Sequence, residues 1–199
     1  MTKVKICGLR TTEDIRIVNH YKPDYAGMIL TPGFSRSVTH AQAKRLRREL
    51  NTAIPLVGVF VDGELSFIRS FFEEGIIDIA QLHGQEDVQL IRDLKKATGK
   101  AVWKAFSMEE TPDTKEIEAS PADRVLLDAG KGAGQTFDWS KAKAVKRSYM
   151  LAGGLTPDNV SRAITSTHPY GVDVSSGVET DGKKDEKKVR AFIRRARNR

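Results

Sequence analysis

The chain has 199 residues, of which 39% are hydrophobic and 30% are charged, and its formal net charge is +7 at pH 7. This length suits one domain, and the composition is typical of a globular protein with a buried core. No segment has the roughly 18 consecutive apolar residues that a membrane span needs, so we expect no membrane partner.

The first ten residues lack the apolar core and the cleavage site of a secretory signal peptide. We therefore expect mature sequence from the start and a cytoplasmic location. The single cysteine, Cys7, can form no internal disulfide, and no metal-binding pattern surrounds it. We expect no metal site, because the histidines have no zinc-like spacing; they are His20, His40, His83 and His168.

Eight short runs of apolar and β-branched residues are predicted strands. In chain order they are residues 4–7, 25–30, 56–61, 77–82, 101–105, 125–128, 149–152 and 171–174. Amphipathic patterns between them predict helices at residues 41–50, 66–74, 88–98, 157–166 and 187–197, with weaker patterns at 112–119 and 140–147. Four of these helices have an expected N-cap residue, namely Thr39, Asp87, Thr156 and Asp185.

This alternation of strands and helices predicts the fold. Strands joined by helical crossovers pair in parallel, and eight such units suit a closed barrel. The predicted fold class is therefore α/β, a single (βα)8 TIM barrel over residues 1–199. An open doubly wound sheet is the alternative, but no predicted strand is followed by the glycine-rich turn that binds dinucleotides.

The positive charge is concentrated in the last predicted helix. Its apolar spacing predicts an amphipathic helix whose buried face consists of Val189, Phe192, Ile193 and Ala196. Neither a nucleic-acid-binding motif nor interleaved aromatic residues accompany the charge, so we expect no nucleic-acid partner. A basic surface also attracts anionic, phosphorylated substrates.

Active sites of (βα)8 barrels lie at the carboxyl ends of the strands, and phosphate often binds the loops after the last two. Gly153 and Gly154 follow the seventh predicted strand here, and Ser175, Ser176 and Gly177 follow the eighth. Glycines let backbone N–H groups approach an anion closely, and serines add hydroxyl donors. The two loops predict a binding site for the phosphate of a small substrate.

Two further residues at strand ends predict proton transfer. Cys7 ends the first predicted strand and Asp128 ends the sixth, and a barrel directs both to the same mouth. Cationic neighbours would lower the pKa of a thiol and make it a base. A carboxyl group needs burial or a nearby anion to keep its proton at neutral pH. The alternatives are a structural cysteine and a loop-anchoring aspartate.

Several motifs, in the same order along the chain, resemble the phosphoribosylanthranilate isomerase family of tryptophan biosynthesis. They are residues 5–10 (KICGLR), 81–84 (QLHG), 126–128 with the glycine-rich residues 130–134 and residues 136–139, residues 151–155 with Asn159 and Val160, and residues 172–179. The resemblance extends from residue 3 to at least residue 179. It is weaker at Arg36, because an aromatic residue often follows this arginine in the family and Ser37 does not supply one.

The resemblance implies a cofactor-free Amadori rearrangement of N-(5-phosphoribosyl)anthranilate to 1-(2-carboxyphenylamino)-1-deoxyribulose 5-phosphate. It implies that Cys7 is the general base and Asp128 the general acid. Arg36 matches the arginine that binds the anthranilate carboxylate, for which a guanidinium is well suited. His83 either contacts substrate or forms a hydrogen bond at the barrel rim. Both a monomer and a homodimer remain open.

Two other functions compete with this one. A related phosphosugar isomerase of histidine biosynthesis resembles a design with two aspartates and two phosphate sites, whereas here a cysteine ends the first strand and one phosphate site is evident. A non-catalytic binding protein on the same scaffold would use the basic C-terminal helix.

Overall fold

The predicted barrel is confirmed by a computed structural model, which describes residues 1–108, 114–128, 139 and 141–198. Eight parallel strands close into a barrel in sequence order, because β8 pairs with β1. The strands are β1 Lys3–Ile6, β2 Tyr25–Ile29, β3 Leu56–Phe60, β4 Ile79–Leu82, β5 Ala101–Ser107, β6 Arg124–Asp128, β7 Tyr149–Ala152 and β8 Gly171–Val174. All eight carboxyl ends therefore lie at the same mouth.

Helices surround the barrel and are α1 Thr12–Tyr21, α2 His40–Glu49, α3 Leu65–Glu73, α4 Val88–Thr98, α5 Thr114–Ala119, α6 Val160–Thr167 and α7 Glu186–Arg197. A short antiparallel hairpin, β9 Glu179–Thr180 and β10 Lys183–Lys184, lies between β8 and α7. The glycine-rich motif at 130–134 and residues 136–138 lie outside the described residues.

Helix α1 is absent from the sequence predictions. Its buried residues are Asp14, Ile15, Ile17 and Val18, so the buried face is short and one of its members is charged. Its start carries a capping box instead, in which Thr11 accepts a hydrogen bond from the Asp14 backbone and the Asp14 carboxylate accepts one from the Thr11 backbone. This local signal predicts the helix better than its apolar pattern does.

Three of the four predicted N-caps are confirmed, since Thr39, Asp87 and Asp185 each accept a backbone hydrogen bond from the first turn. The prediction for Thr156 is wrong, because α6 begins only after Asn159. The Asn159 side chain accepts from the Thr156 N–H and donates to the carbonyl oxygen of residue 154. These bonds hold the segment before α6 in a turn and delay the start of the helix.

The predicted helix at 140–147 is reduced, over its described part, to one 3₁₀ turn at Lys141–Ala144. The Glu118 carboxylate accepts the backbone N–H groups of Lys146 and Arg147, which removes them from helical bonding. The Arg147 guanidinium in turn donates to three carbonyl oxygens at the end of α5 and the loop after it. Contacts distant in sequence therefore override the local helical pattern.

Apolar side chains fill both the barrel interior and the layer between strands and helices. The interior cluster includes Val57, Trp103, Leu126 and Met150. Helix α7 buries the four predicted side chains against the barrel, namely Val189, Phe192, Ile193 and Ala196. None of the helices in the described ranges is long and apolar enough to span a membrane.

Candidate active site

Cys7 directly follows β1, and its side chain lies in a closely packed position. Its backbone N–H donates to the Val174 carbonyl oxygen at 2.8 Å, which ties it to the end of β8. Only 6% of the residue is exposed. A Cβ atom on Gly27, in the neighbouring strand β2, would lie 2.8 Å from the Cys7 Sγ. Glycine at position 27 therefore provides the space that the thiol occupies.

Burial raises the pKa of the Cys7 thiol above its ordinary value. The ammonium groups of Lys5 and Lys184 act in the opposite direction, and Asp173 adds to the effect of burial. The cationic neighbours that a thiolate base requires are therefore present, but their effect on the pKa is smaller than that of burial.

Asp128 is the last residue of β6, and its carboxylate is hydrogen-bonded to His83, which follows β4. The distance from His83 Nε2 to Asp128 Oδ2 is 2.9 Å, and Gln81 Nε2 lies 3.2 Å from His83 Nδ1. If Gln81 donates to Nδ1, the ring hydrogen of a neutral His83 is on Nε2 and points to Asp128. His83 therefore forms a hydrogen bond at the barrel rim, and contact with substrate stays a prediction.

Arg36, in the loop after β2, is held by Glu179 of β9. Its Nε and Nη2 atoms donate to the two carboxylate oxygens at 2.8 and 2.7 Å. Lys184 of β10 donates to the same carboxylate at 2.7 Å and to the Ser175 carbonyl oxygen at 3.0 Å. Burial alone would raise the pKa of Glu179, but these two cations outweigh it and lower the pKa to about 2. A guanidinium has a second edge, formed by Nη1 and Nη2, that can receive another carboxylate.

Gly8 connects this ionic cluster to Cys7. Its φ of 76° favours glycine, and a Cβ atom there would lie 2.7 Å from Ser175 Oγ and 2.8 Å from Arg36 Cδ. Arg36 and Ser175 therefore lie against the residue that follows Cys7. The Ser175 hydroxyl is buried and has no hydrogen-bond partner among the described residues. Such a group is available to a bound substrate.

The loops after β7 and β8 lie against each other. Gly153 and Gly154 have φ values of 85° and 61°, which side-chain-bearing residues rarely adopt. A Cβ atom on Gly177 would lie 1.8 Å from the Leu155 carbonyl oxygen, far inside any permitted contact. The chain passes through this point only because residue 177 is glycine. The close approach brings together the loops that we predict to bind phosphate.

The ion pairs formed by two buried lysines were not predicted from the sequence. Lys5 pairs with Asp173, and Lys104 pairs with Glu86 at 2.9 Å. The sequence does indicate that Lys5 is buried, because the alternation of side chains along β1 places it on the same face as Cys7, inside the barrel. Over the described ranges, no three His, Cys, Asp or Glu side chains are grouped closely enough to hold a metal ion.

Comparisons with known proteins identify close relatives over the whole length. A family model described as N-(5'phosphoribosyl)anthranilate (PRA) isomerase matches residues 4–195. An N-(5'-phosphoribosyl)anthranilate isomerase from Clostridium kluyveri is 40% identical over 201 residues, which cover 100% of this chain and 99% of the relative. The crystal structure of phosphoribosyl anthranilate isomerase from Thermotoga maritima has a TM-score of 0.90 and 34% identity, with 98% of each chain covered. A phosphoribosyl anthranilate isomerase in complex with reduced 1-(o-carboxyphenylamino)-1-deoxyribulose 5-phosphate has a TM-score of 0.87 and 34% identity, with 98% of each chain covered.

Proposed function

This chain belongs to the N-(5'-phosphoribosyl)anthranilate isomerase family, and from that premise we propose that it catalyses the Amadori rearrangement of N-(5-phosphoribosyl)anthranilate. We assign the reaction to the cytoplasm, with Cys7 as general base and Asp128 as general acid. The product is 1-(2-carboxyphenylamino)-1-deoxyribulose 5-phosphate, an intermediate of tryptophan biosynthesis. The full-length match to this family is the observation that carries the proposal. The positions of Cys7 and Asp128, each at the carboxyl end of a barrel strand, support the assignment of roles.

The first chemical step assigned to the site is ring opening. Asp128 donates a proton to the ribose ring oxygen, the bond from that oxygen to sugar carbon 1 breaks, and the anilino nitrogen forms a protonated imine with carbon 1. His83 supports this role, because its bond to Asp128 Oδ2 fixes the orientation of the carboxyl group. A positioned acid of this kind contributes roughly 10²- to 10⁴-fold to a rate.

The second step is proton removal at sugar carbon 2. The positive imine makes this carbon acidic, and the Cys7 thiolate takes the proton while the electron pair moves into the imine to give an enolamine. The enolamine then tautomerises to the ketone. A cation next to Cys7 also favours the thiolate, which opposes the effect of burial on the pKa of the thiol.

Two anionic groups of the substrate position it for these steps. We assign the phosphate to the loops after β7 and β8, through Gly153, Gly154, Ser175, Ser176 and Gly177. We assign the anthranilate carboxylate to Arg36, whose side chain lies against Gly8 and is oriented by Glu179. Both assignments agree with the placement of the Ser175 hydroxyl, which is buried and lacks a hydrogen-bond partner within the described part of the chain.

The proposal is tested by assaying the purified protein for conversion of N-(5-phosphoribosyl)anthranilate. Cys7→Ala and Asp128→Asn should each reduce kcat by at least roughly 10²-fold, because each removes one proton-transfer group. The matched control is Asp93→Asn, the same change of side chain on helix α4, where the carboxylate accepts a hydrogen bond from Gln89 of the same helix. This control should keep full activity. Near-full turnover by Cys7→Ala would contradict the assignment of the base.

A further inference from the structure

A charged pair lies inside the barrel beneath the mouth. Lys5 Nζ is 3.1 Å from both carboxylate oxygens of Asp173, and the two residues are register partners on β1 and β8. The Lys5 residue is 0% exposed and Asp173 is 8% exposed. Lys5 is among the largest fully buried side chains in the described part of the chain. The barrel therefore buries a complete ion pair where its other interior positions are largely apolar.

Stability is a weak reason for such a pair. Removing two charges from water is costly, and replacing a buried ion pair by well-packed apolar residues is often neutral or stabilising. Other interior positions show that apolar residues fit in this barrel, as at Val57 and Leu126. Stability alone is therefore a poor explanation for this pair.

The thiol of Cys7 lies close to this pair. Lys5 and Cys7 point into the barrel from the same strand, two residues apart. A Cβ atom on Gly27 would lie 2.8 Å from Cys7 Sγ and 3.2 Å from Lys5 Nζ, so these two atoms are at most about 6 Å apart. At this separation an opposite charge favours an ionised group substantially.

Charged groups of the described residues lie on two sides of Cys7. Lys5 and Asp173 lie below it, while Lys184 and Arg36 lie on the side of the β9–β10 hairpin. Lys184 and Arg36 share the Glu179 carboxylate, which neutralises part of their charge. Of the cations, Lys5 lowers the pKa of Cys7 most, and Asp173 raises it by less than Lys5 lowers it.

We propose that Lys5, clamped by Asp173, is a positioning residue that supplies the buried positive charge against which the Cys7 thiolate forms. Asp173 holds the ammonium group with two hydrogen bonds and keeps it protonated, and Gly27 leaves the space through which the ammonium and the thiol face each other. This inference rests on the proposed function in one respect, because that function gives the Cys7 thiolate its role as general base. The ionisation itself is a property of the protein alone.

Cys7 is the single cysteine of the chain, so its ionisation can be measured without activity. The ultraviolet absorbance of the thiolate is recorded against pH for each protein, with the Cys7→Ala form of the same protein as the blank. In the double variant Lys5→Met, Asp173→Leu the midpoint should rise by about one pH unit or more. The acid limb of kcat/KM should move by the same amount. The matched control is Lys3→Met on the same strand, whose lysine is 44% exposed, pairs with Asp24 and should leave the midpoint unchanged.

The single variant Lys5→Met gives a second measurement of the same effect. It removes the cation and leaves Asp173, which itself raises the pKa of Cys7, so the midpoint should rise at least as far as in the double variant. The midpoint of either variant tests the role of Lys5, provided that its circular dichroism spectrum matches that of the wild type. A midpoint that stays within about 0.3 pH unit of the wild-type value overturns the proposal. If Cys7→Ala instead keeps full turnover, the proposed role of the thiol fails while the titration still tests Lys5.

Discussion

Adding one methyl group at Gly177 should separate the two loops to which we assign the substrate phosphate. The Cβ atom of Gly177→Ala would lie 1.8 Å from the Leu155 carbonyl oxygen and 2.9 Å from its carbonyl carbon. Real Cβ contacts stay beyond 3.0 Å, so the loops must move apart by at least about 1.2 Å. Both clashing atoms belong to the backbone, and no rotamer change can relieve the contact.

A displacement of this size is large for a binding site. Misplacing a positioning group by about 1 Å can cost roughly 10²-fold in catalysis. Because phosphate lies away from the reacting carbons, we expect most of this loss as a higher KM, with kcat changed less. Forced overpacking also costs about 1–3 kcal/mol of stability, so the variant should remain folded at moderate temperature.

Steady-state kinetics on N-(5-phosphoribosyl)anthranilate, together with inhibition by inorganic phosphate, measure the effect. The matched control is Gly99→Ala at the end of α4, where φ is 64° and nothing lies within 4 Å of the added methyl group. This control strains the backbone without touching either loop, so it should lower stability and leave KM unchanged. A folded Gly177→Ala protein with wild-type KM and wild-type inhibition by phosphate would refute the assignment of the phosphate site.

Two further predictions concern Glu179 and His83. Because the folded protein lowers the pKa of Glu179 to about 2, its contribution to stability is complete above pH 4.5 and is lost as the pH falls toward 2. Glu179→Gln should therefore reduce the fall in unfolding free energy over this pH range, as measured by denaturant titrations at each pH. If the free energy falls with pH as steeply as in the wild type, the ionic role of Glu179 is contradicted. His83→Gln should lower kcat roughly 10-fold with little change in KM, because it removes the bond that orients Asp128, and an unaltered kcat would exclude that role.

The sequence predicts the barrel well because its signals are local. Each strand is a short apolar run, and the predicted bounds lie within two residues of those observed, as for β4 at Ile79–Leu82 against 77–82. Helix α1 was not predicted because its buried face is short and includes the charged Asp14. The N-cap prediction for Thr156 was wrong because the Asn159 side chain binds the Thr156 N–H. The apolar spacing of a segment does not reveal such a side-chain hydrogen bond.

The same distinction between local and distant signals applies to the site. Strand ends are predictable, and so the positions of Cys7, Asp128 and the glycine loops could be read from the chain. The partners of Arg36 and Lys5 could not, because Glu179 and Asp173 are 143 and 168 residues away and only the closure of the barrel brings them near. Burial of the thiol, which governs its pKa, likewise depends on packing that no single segment specifies.

The pairing of β8 with β1 has a consequence for synthesis on the ribosome. Strand β8 leaves the exit tunnel after nearly all of the chain. It carries the side chain that contacts Lys5 and the carbonyl oxygen that accepts the Cys7 N–H. Until then β1 and β7 are unpaired edges, which invite association with other nascent chains. Catalytic competence therefore begins only when the final strand inserts, and a truncated product would present an open sheet to cellular chaperones.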